Sequence, residues 1–291
     1  MMRMCPGCGG HGFRRYSTNI VEGNFSSTTY ASRKSPEFMH YDLTQCEKCS
    51  SLFVERLPES GELIQNYIGA SFDGHIESEY AANTYCSYLK RLNLLQGKKV
   101  LDIGCGDGAF IKLALKLGAQ AVQGIEPSSG ALSSAGEMMG LIRAQPIEDC
   151  DFNAEFDLVT CFQTLEHLAK PAETLLKMRG AVSRGGHIAV VCHDRLSLVN
   201  RLLGRKSPIF DIEHLQMFSA AGLDSLIRSA GSEIVYSKQI VNRYPFGYWL
   251  RLIPLSRGLK NIIERNRRSI ILSFPISLMV GNRLVVAKKL G

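Results

Sequence analysis

Between residues 62 and 95 the apolar positions recur at helical spacing, with Tyr80, Tyr85, Tyr88, Leu89, Leu92 and Leu95 on one stripe. Further on the period changes. Short apolar runs at 99–103, 121–125, 157–161 and 187–192 alternate with helical stretches at 110–117, 129–139, 171–182 and 220–229. Gly118, Gly140 and Gly231 supply stop signals, Pro171 sits near a helix start, and Ser219 is placed as an N-cap. Two more strand-like runs, 233–241 and 283–288, close the pattern. Strands alternating with helices predict an α/β fold with a mainly parallel sheet and helices on both faces. Residues 1–58 differ. They are rich in Gly, Ser and Thr, with short strand-like runs and little helical periodicity. The expected division is a small module over 1–58, a helical connector capping a cofactor over 59–97, and an α/β domain over 98–291.

Composition sharpens this outline. The chain has 291 residues and 45% hydrophobic content, enough for a sizeable core. The net charge of +7 is concentrated in one place. Between 241 and 270 stand Arg243, Arg251, Arg257, Lys260, Arg265, Arg267 and Arg268 against Glu264 alone, a local +6. Residues 1–60 are nearly neutral, with seven bases and six acids. The charge therefore points to one local basic surface rather than to a nucleic-acid-binding chain. Nine cysteines, an odd number, and no apolar leader over 1–10 lead us to expect a reducing, cytoplasmic setting. The apolar run 270–280 is broken by Pro275 and falls short of the ~20 residues a bilayer span needs.

The main chemical signal is Val100-Leu101-Asp102-Ile103-Gly104-Cys105-Gly106-Asp107-Gly108-Ala109-Phe110. A strand runs into a Gly-x-Gly-x-Gly turn, which opens a helix. Such glycines allow a sharp turn and close approach of backbone to a ligand. Glu126 ends the next strand, 24 residues after Asp102, where an acid can accept hydrogen bonds from both hydroxyls of a ribose. A nicotinamide-dinucleotide fingerprint would place the third glycine one residue later. The turn resembles the first motif of class I S-adenosylmethionine-dependent methyltransferases. Residues 156–159 leading to Leu165-Glu166-His167-Leu168 and Pro171 resemble their fourth motif, and Arg184-Gly185-Gly186-His187-Ile188 the entry to their fifth strand. The resemblance covers about 95–289. It implies a Rossmann-like, seven-stranded sheet in which only the last strand is antiparallel. It places Asp102, Gly104 and Gly106 around the amino-acid part of the cofactor, with Cys105 and Gly108 also among the cofactor-binding residues. Glu126 and Pro127 fall at the ribose, Ile147 and Glu148 beside the adenine, and Cys161 at the end of the fourth strand. Pro146 departs from the pattern, standing where an acid is common.

Cys5-Pro-Gly-Cys8 and Cys46-Glu-Lys-Cys49 are two Cys-x-x-Cys knuckles. Two such pairs can present four thiolates to one tetrahedral zinc ion, a closed structural site that would help a 58-residue, zinc-ribbon-like module to fold. An N-terminal zinc module before a class I methyltransferase resembles two groups. One modifies sugars, polysaccharide precursors and secondary metabolites; the other modifies ribosomal RNA. The near-neutral module argues against RNA. Cys161-Phe162-Gln163-Thr164 also replaces the Asn-Pro-Pro-aromatic signature of amino-directed nucleic-acid enzymes. The expected activity is methyl transfer to a small-molecule or sugar acceptor, with O-methylation favoured by resemblance. RNA methylation and a non-catalytic binding protein remain the alternatives.

Three histidines fall in loops that would surround the acceptor: His167, His193 and His214. Imidazole is the natural base near neutral pH. The segment from Glu213 to Ser219 also resembles a His-x-x-x-Phe-Ser stretch of the sugar and metabolite enzymes. Within 242–280, Tyr244, Phe246, Tyr248 and Trp249 interleave with the basic residues. This insertion fits an anionic-acceptor site, a peripheral membrane contact through 243–268, or a helical lid or homodimer contact.

Overall fold

The computed structural model describes residues 3–20, 29–30, 38–72, 74–253, 255–266 and 269–290. In chain order the first elements are β1 (Phe13–Ser17), β2 (Leu43–Cys46), β3 (Leu52–Val54), α1 (Ser60–Ile68) and α2 (His75–Arg91). Then come β4 (Lys99–Ile103), α3 (Ala109–Lys116), β5 (Ala121–Ile125), α4 (Ser129–Ser133), β6 (Ile142–Arg143), β7 (Phe156–Phe162), α5 (Pro171–Ala181) and β8 (Val182–His193). The chain continues through α6 (Leu198–Leu203), β9 (Gln216–Met217), α7 (Ala220–Ser229) and β10 (Ser232–Gln239). It ends with β11 (Asn242–Pro245), α8 (Phe246–Leu252), α9 (Arg257–Arg265), α10 (Ile270–Ser273), β12 (Pro275–Leu278) and β13 (Asn282–Lys289).

Seven strands form the central sheet in the order β10-β13-β8-β7-β4-β5-β6. β4 is parallel to β5 and β7, while β13 runs antiparallel to β8 and β10. The sheet is therefore Rossmann-like, as expected, with β13 the reversed strand. Alternate residues feed two cores. Val100, Leu158, Ala189, Val191, Leu284 and Val286 face α2 and α3. Leu101, Val159, Ile188, Val190, Val285 and Ala287 face α5 and α7. Both faces are covered, so the strands read as continuous apolar runs rather than as alternation.

Chain direction reverses its march across the sheet between β4 and β7. In open α/β sheets such a switch point, at the carboxyl ends of the strands, forms the ligand crevice. The helical connector consists of two helices, α1 and α2. One helical expectation breaks up. The stretch 129–139 holds only α4, then a 3-10 turn over Gly136–Leu141, because Gly136 turns the chain with φ +53°.

A second sheet, β1-β2-β3-β9, carries the cysteine knuckles. Its fourth strand comes from the α/β domain, so the sheet of the N-terminal module is completed by residues far along the chain. The insertion hangs from the tip of the β10–β13 hairpin, where β11 pairs with β12 antiparallel. Arg267 and Arg268, and the side chains of Arg257, Lys260 and Glu264, lie outside the described residues.

Candidate active site

A cavity of about 960 Å³ opens at the carboxyl ends of β4, β5, β7 and β8. The glycine turn forms one end. The Gly104 and Cys105 N–H groups both donate to the Ile125 carbonyl, at 2.8 and 3.1 Å, and so fasten the turn to β5. Gly104 has φ +72°, and a Cβ there would lie 2.3 Å from Thr164 Oγ1. Gly106, at φ +57°, is different: a Cβ would meet nothing closer than the Phe72 ring at 3.9 Å. The space above Gly106 belongs to the cavity, which is where a ligand can touch the backbone.

Two carboxylates flank this turn. Glu126 accepts hydrogen bonds from the Gly106 N–H and the Ser128 N–H, each at 2.9 Å. Burial pushes its carboxyl above the usual range, against the pull of those two donors. Asp102 accepts the Thr160 hydroxyl at 2.6 Å. Burial pushes Asp102 up to about 7; Thr160 opposes the shift and the charge of Glu126 adds to it. Two acids held at a glycine turn with a vacant face suit a ligand carrying ribose hydroxyls and a cationic amino-acid end. The connector closes this end: Ser78 of α2 donates to Asp107 at 2.8 Å, and Ser128 and Ser129 donate to the carbonyls of Ala70 and Ile68.

The far end of the cavity holds the three histidines. His167 follows β7, His193 ends β8, and His214 precedes β9. The His167 and His214 rings lie 4.7 Å apart, and those of His193 and His214 5.4 Å apart. His167 Nδ1 donates to the Glu213 carbonyl at 3.1 Å, and His214 Nδ1 donates to the Ile209 carbonyl at 2.9 Å. A carbonyl can only accept, so each of these rings carries a proton on Nδ1. Half-buried Tyr67 of α1 donates to the Glu213 carbonyl at 3.2 Å and sets its ring edge-on to His167.

The cysteine module holds this end in place. Cys5 and Cys49 sulfurs are 3.5 Å apart, Cys8 and Cys46 sulfurs 3.6 Å, and all four lie within 4.8 Å of one another. The two knuckles close alike: Gly9 N–H donates to the Cys5 carbonyl and Ser50 N–H to the Cys46 carbonyl, both at 2.9 Å. Four soft sulfur donors so gathered fit one tetrahedral zinc ion. From this base, Arg3 reaches the Ala169 carbonyl at 2.9 Å and the Gln216 side chain at 2.7 Å. Gln216 in turn donates to the carbonyls of Leu165, Glu166 and Leu168. Ser219 donates to the Cys49 carbonyl, and Arg195 to the Ser50 carbonyl. The loops bearing His167 and His214 are thus tied both to each other and to the knuckles.

The insertion covers the cavity from above. Tyr244, Tyr248, Trp249, Leu252 and Ile253 line it. Tyr244 and Trp249 are buried, and the Trp249 indole donates to the Ile276 carbonyl at 3.0 Å. Arg251 pairs with Glu77 of α2. The aromatic residues therefore turn inward, as in a lid.

Most of the sequence-derived site residues meet here. Asp102, Gly104, Cys105, Gly106, Glu126, Pro127, Ile147, Glu148 and all three histidines line the cavity. Two of them do not. Gly108 sits behind the turn as the left-handed residue before α3. Cys161 packs in the core beneath α5 and α7, because the alternation of β7 sends it to the opposite face from Thr160 and Phe162. Tyr67, Tyr85 and Phe162 line the cavity without having been singled out. Tyr85 stood on the apolar stripe of 62–95, and Tyr67 carried no signal of its own.

Residues 78–237, just over half of the chain, match a family described as methyltransferase domain. A ubiquinone biosynthesis O-methyltransferase of Bradyrhizobium sp. is 34% identical over 107 residues, covering 35% of this chain and 42% of that protein. The mitochondrial ubiquinone biosynthesis O-methyltransferase of Schizosaccharomyces pombe is 27% identical over 172 residues, covering 56% and 60%. This chain spans about half the length of the curated relatives it matches. Among solved structures, a chain from the complex between the Haloferax volcanii Trm112 methyltransferase activator and a methyltransferase superposes with a TM-score of 0.54. Its identity is 16%, covering 74% of this chain and 92% of that one, so it shows the fold alone. With the family match lying across the glycine turn, Glu126 and the three histidines, the chain belongs to the methyltransferase domain family.

Proposed function

We propose that this chain transfers a methyl group from S-adenosylmethionine to a hydroxyl oxygen of a small-molecule or sugar acceptor. An acceptor from surface-polysaccharide or secondary-metabolite synthesis fits the N-terminal cysteine module, and oxygen is supported by the names of the relatives. The observation that carries the reading is one cavity with the glycine turn at one end and His167, His193 and His214 at the other. Bound at the turn, the cofactor supplies a methyl group on a cationic sulfur, open to attack by an oxygen lone pair. Asp102 and the Gly104–Gly106 backbone hold its amino-acid end, Glu126 its ribose, and Ile147 and Glu148 border its adenine. The histidine cluster holds the acceptor hydroxyl and takes up its proton, and the lid excludes water. His214 is the residue we assign to holding or deprotonating the acceptor. His214→Ala is expected to keep its affinity for the cofactor and lose about 10²–10⁴-fold in turnover. Full activity in that variant would refute the assignment.

The four cysteines are read as a structural zinc site, so metal analysis is expected to find one tightly held zinc per chain. We read the setting as reducing and cytoplasmic from the odd number of cysteines in the sequence. The insertion exposes Ile262, Ile270, Ile271 and Phe274 and its sequence carries a local charge of +6 between 241 and 270. We read it as a peripheral contact for an anionic membrane. Sedimentation with anionic liposomes at low salt is the test, and no binding there removes the membrane contact.

A further inference from the structure

The carboxyl edge of the sheet carries a row of side-chain amides. Gln163 follows β7, and Asn282 opens β13 opposite His193 of β8. The Ile240 N–H donates to the Asn282 carbonyl at 2.8 Å, which brings the start of β11, and with it Asn242, up to this edge. All three amide residues line the cavity. The row begins next to the glycine turn, since a Cβ on Gly104 would meet Thr164, the neighbour of Gln163. It runs past His193 to the insertion.

These amides are buried, and the protein leaves them unmet. Asn242 is fully enclosed, and neither its Nδ2 nor its Oδ1 has a hydrogen-bond partner. The same holds for Gln163 Nε2 and Asn282 Oδ1. Folded proteins rarely bury polar atoms unmet, and here three residues do so along one wall of a cavity. An apolar side chain of the same shape at 242 would suit the fold better than an unmet amide, so folding alone does not explain Asn242. Gln163 adds a second sign. Its φ is +52°, in the left-handed region that favours glycine, and its N–H is fixed by the Val191 carbonyl at 2.8 Å. Backbone strain of this kind gathers where a side chain is held out to a ligand.

A carboxamide is uncharged and offers both donors and an acceptor. Its natural counterpart is a hydroxyl, which also donates and accepts. A carboxylate or phosphate would need a cation beside it, and among the described residues no arginine lines the cavity. The two lining lysines are engaged elsewhere: Lys177 donates to the Glu148 and Cys150 carbonyls, and Lys170 pairs with Glu173. Residues 242 and 244 share a face of β11, so Asn242 stands beside Tyr244, and Tyr248 and Trp249 continue the cavity wall. A few amides set beside aromatic rings suit a sugar ring, which has hydroxyls at its edge and C–H groups on its faces. We propose that Asn242, Asn282 and Gln163 form a hydrogen-bonding subsite that grips an uncharged polyol ring of the acceptor, a pyranose, and so selects which hydroxyl meets the methyl group. The proposal rests on the oxygen-acceptor reading above for its purpose, and on the buried amides for its geometry.

The test uses full-length protein saturated with S-adenosylhomocysteine, titrated under NMR observation with methyl α-D-glucopyranoside and methyl α-D-mannopyranoside. Glucuronate and catechol serve as the charged and the aromatic counterparts. At least one pyranoside is expected to bind, and to bind more tightly than either counterpart. Asn242→Leu, which keeps the side-chain shape, should weaken that binding at least ~tenfold, and Gln163→Met should weaken it in the same direction. Both variants should hold S-adenosylhomocysteine as wild type does, and Asn242→Leu should melt no lower than wild type, because it removes an unmet buried amide. Binding of neither pyranoside, a preference for glucuronate or catechol, or equal pyranoside affinity in wild type and Asn242→Leu overturns the proposal. An Asn242→Leu protein that melts well below wild type also overturns it, by showing that Asn242 serves the fold. Methylation of catechol without pyranoside binding overturns it too and leaves the oxygen-acceptor reading standing. Pyranoside binding as described, in a protein that methylates no hydroxyl acceptor, supports the subsite and sinks that reading instead.

Discussion

The two ends of the cavity are built in opposite ways. At the cofactor end, Asp102, Gly104, Cys105, Gly106 and Glu126 all belong to one β4–turn–α3–β5 unit. Its geometry is fixed locally, by two amide donors to the Ile125 carbonyl and two to Glu126. At the other end, His167 and His214 come from two loops and His193 from the end of β8. The two loops are tied to a sheet in which β9 lies more than 150 residues in sequence from its partners β1–β3. A local motif can be kept in every relative while the acceptor end varies, which is how one fold serves many acceptors.

The largest expected effect breaks the acceptor end alone. Cys46→Ser removes a ligand from the cysteine cluster, and loss of a structural metal loosens the sheet that anchors the His167 and His214 loops. Turnover is expected to fall by more than ~10³-fold, with cofactor affinity changed by less than ~threefold, as read by paired kinetics and calorimetry. Equal loss of both would mean that the two ends are not separately supported. Gly104→Ala is the converse. A Cβ 2.3 Å from Thr164 Oγ1, on a residue with φ +72°, destabilises the turn by ~1–3 kcal/mol. It should cost ~100-fold in cofactor affinity with zinc content unchanged.

pH should act at the cofactor end. Asp102 sits at about 7 in the folded, ligand-free protein, against ~3.9 when unfolded. Its raised value means that ionising it penalises the folded state. Stability without ligand is therefore expected to decline as pH rises from about 4 to 7, and then to level. The cofactor's cationic amino-acid end favours the ionised form, so affinity should rise over the same approach to pH 7 and flatten above it. Asp102→Asn should abolish both trends; a wild-type affinity that is flat from pH 6 to 8 contradicts this account. The smallest effect is expected from the lid. Arg251→Ala removes its pair with Glu77, a partly buried contact worth ~1 kcal/mol, and should raise the KM for the acceptor only a few-fold.

The same contrast explains what the sequence disclosed. The glycine turn and Glu126 follow from one contiguous motif and the alternation of strands and helices from short-range periodicity, while the reversed last strand was implied only by the resemblance to class I methyltransferases. β9 did not. Gln216 and Met217 form a strand only because β3 lies beside them, and two residues carry no period of their own. Tyr244 and Trp249 sit among basic residues in a stretch that reads as a charged surface, yet both are buried, since β12 and the cavity lie on their side. Cys161 illustrates the limit of carrying a motif position onto a side chain. One step along β7 separates the cavity face from the core face.

The central claim is that one cavity holds two separable sites. It is tested most directly by calorimetric titration of S-adenosylhomocysteine into wild type, Asp102→Asn and His214→Ala, with turnover measured on the same samples. The account expects Asp102→Asn to weaken binding by at least ~tenfold, and His214→Ala to bind as wild type while losing turnover. Binding lost in His214→Ala, or intact in Asp102→Asn, would contradict it.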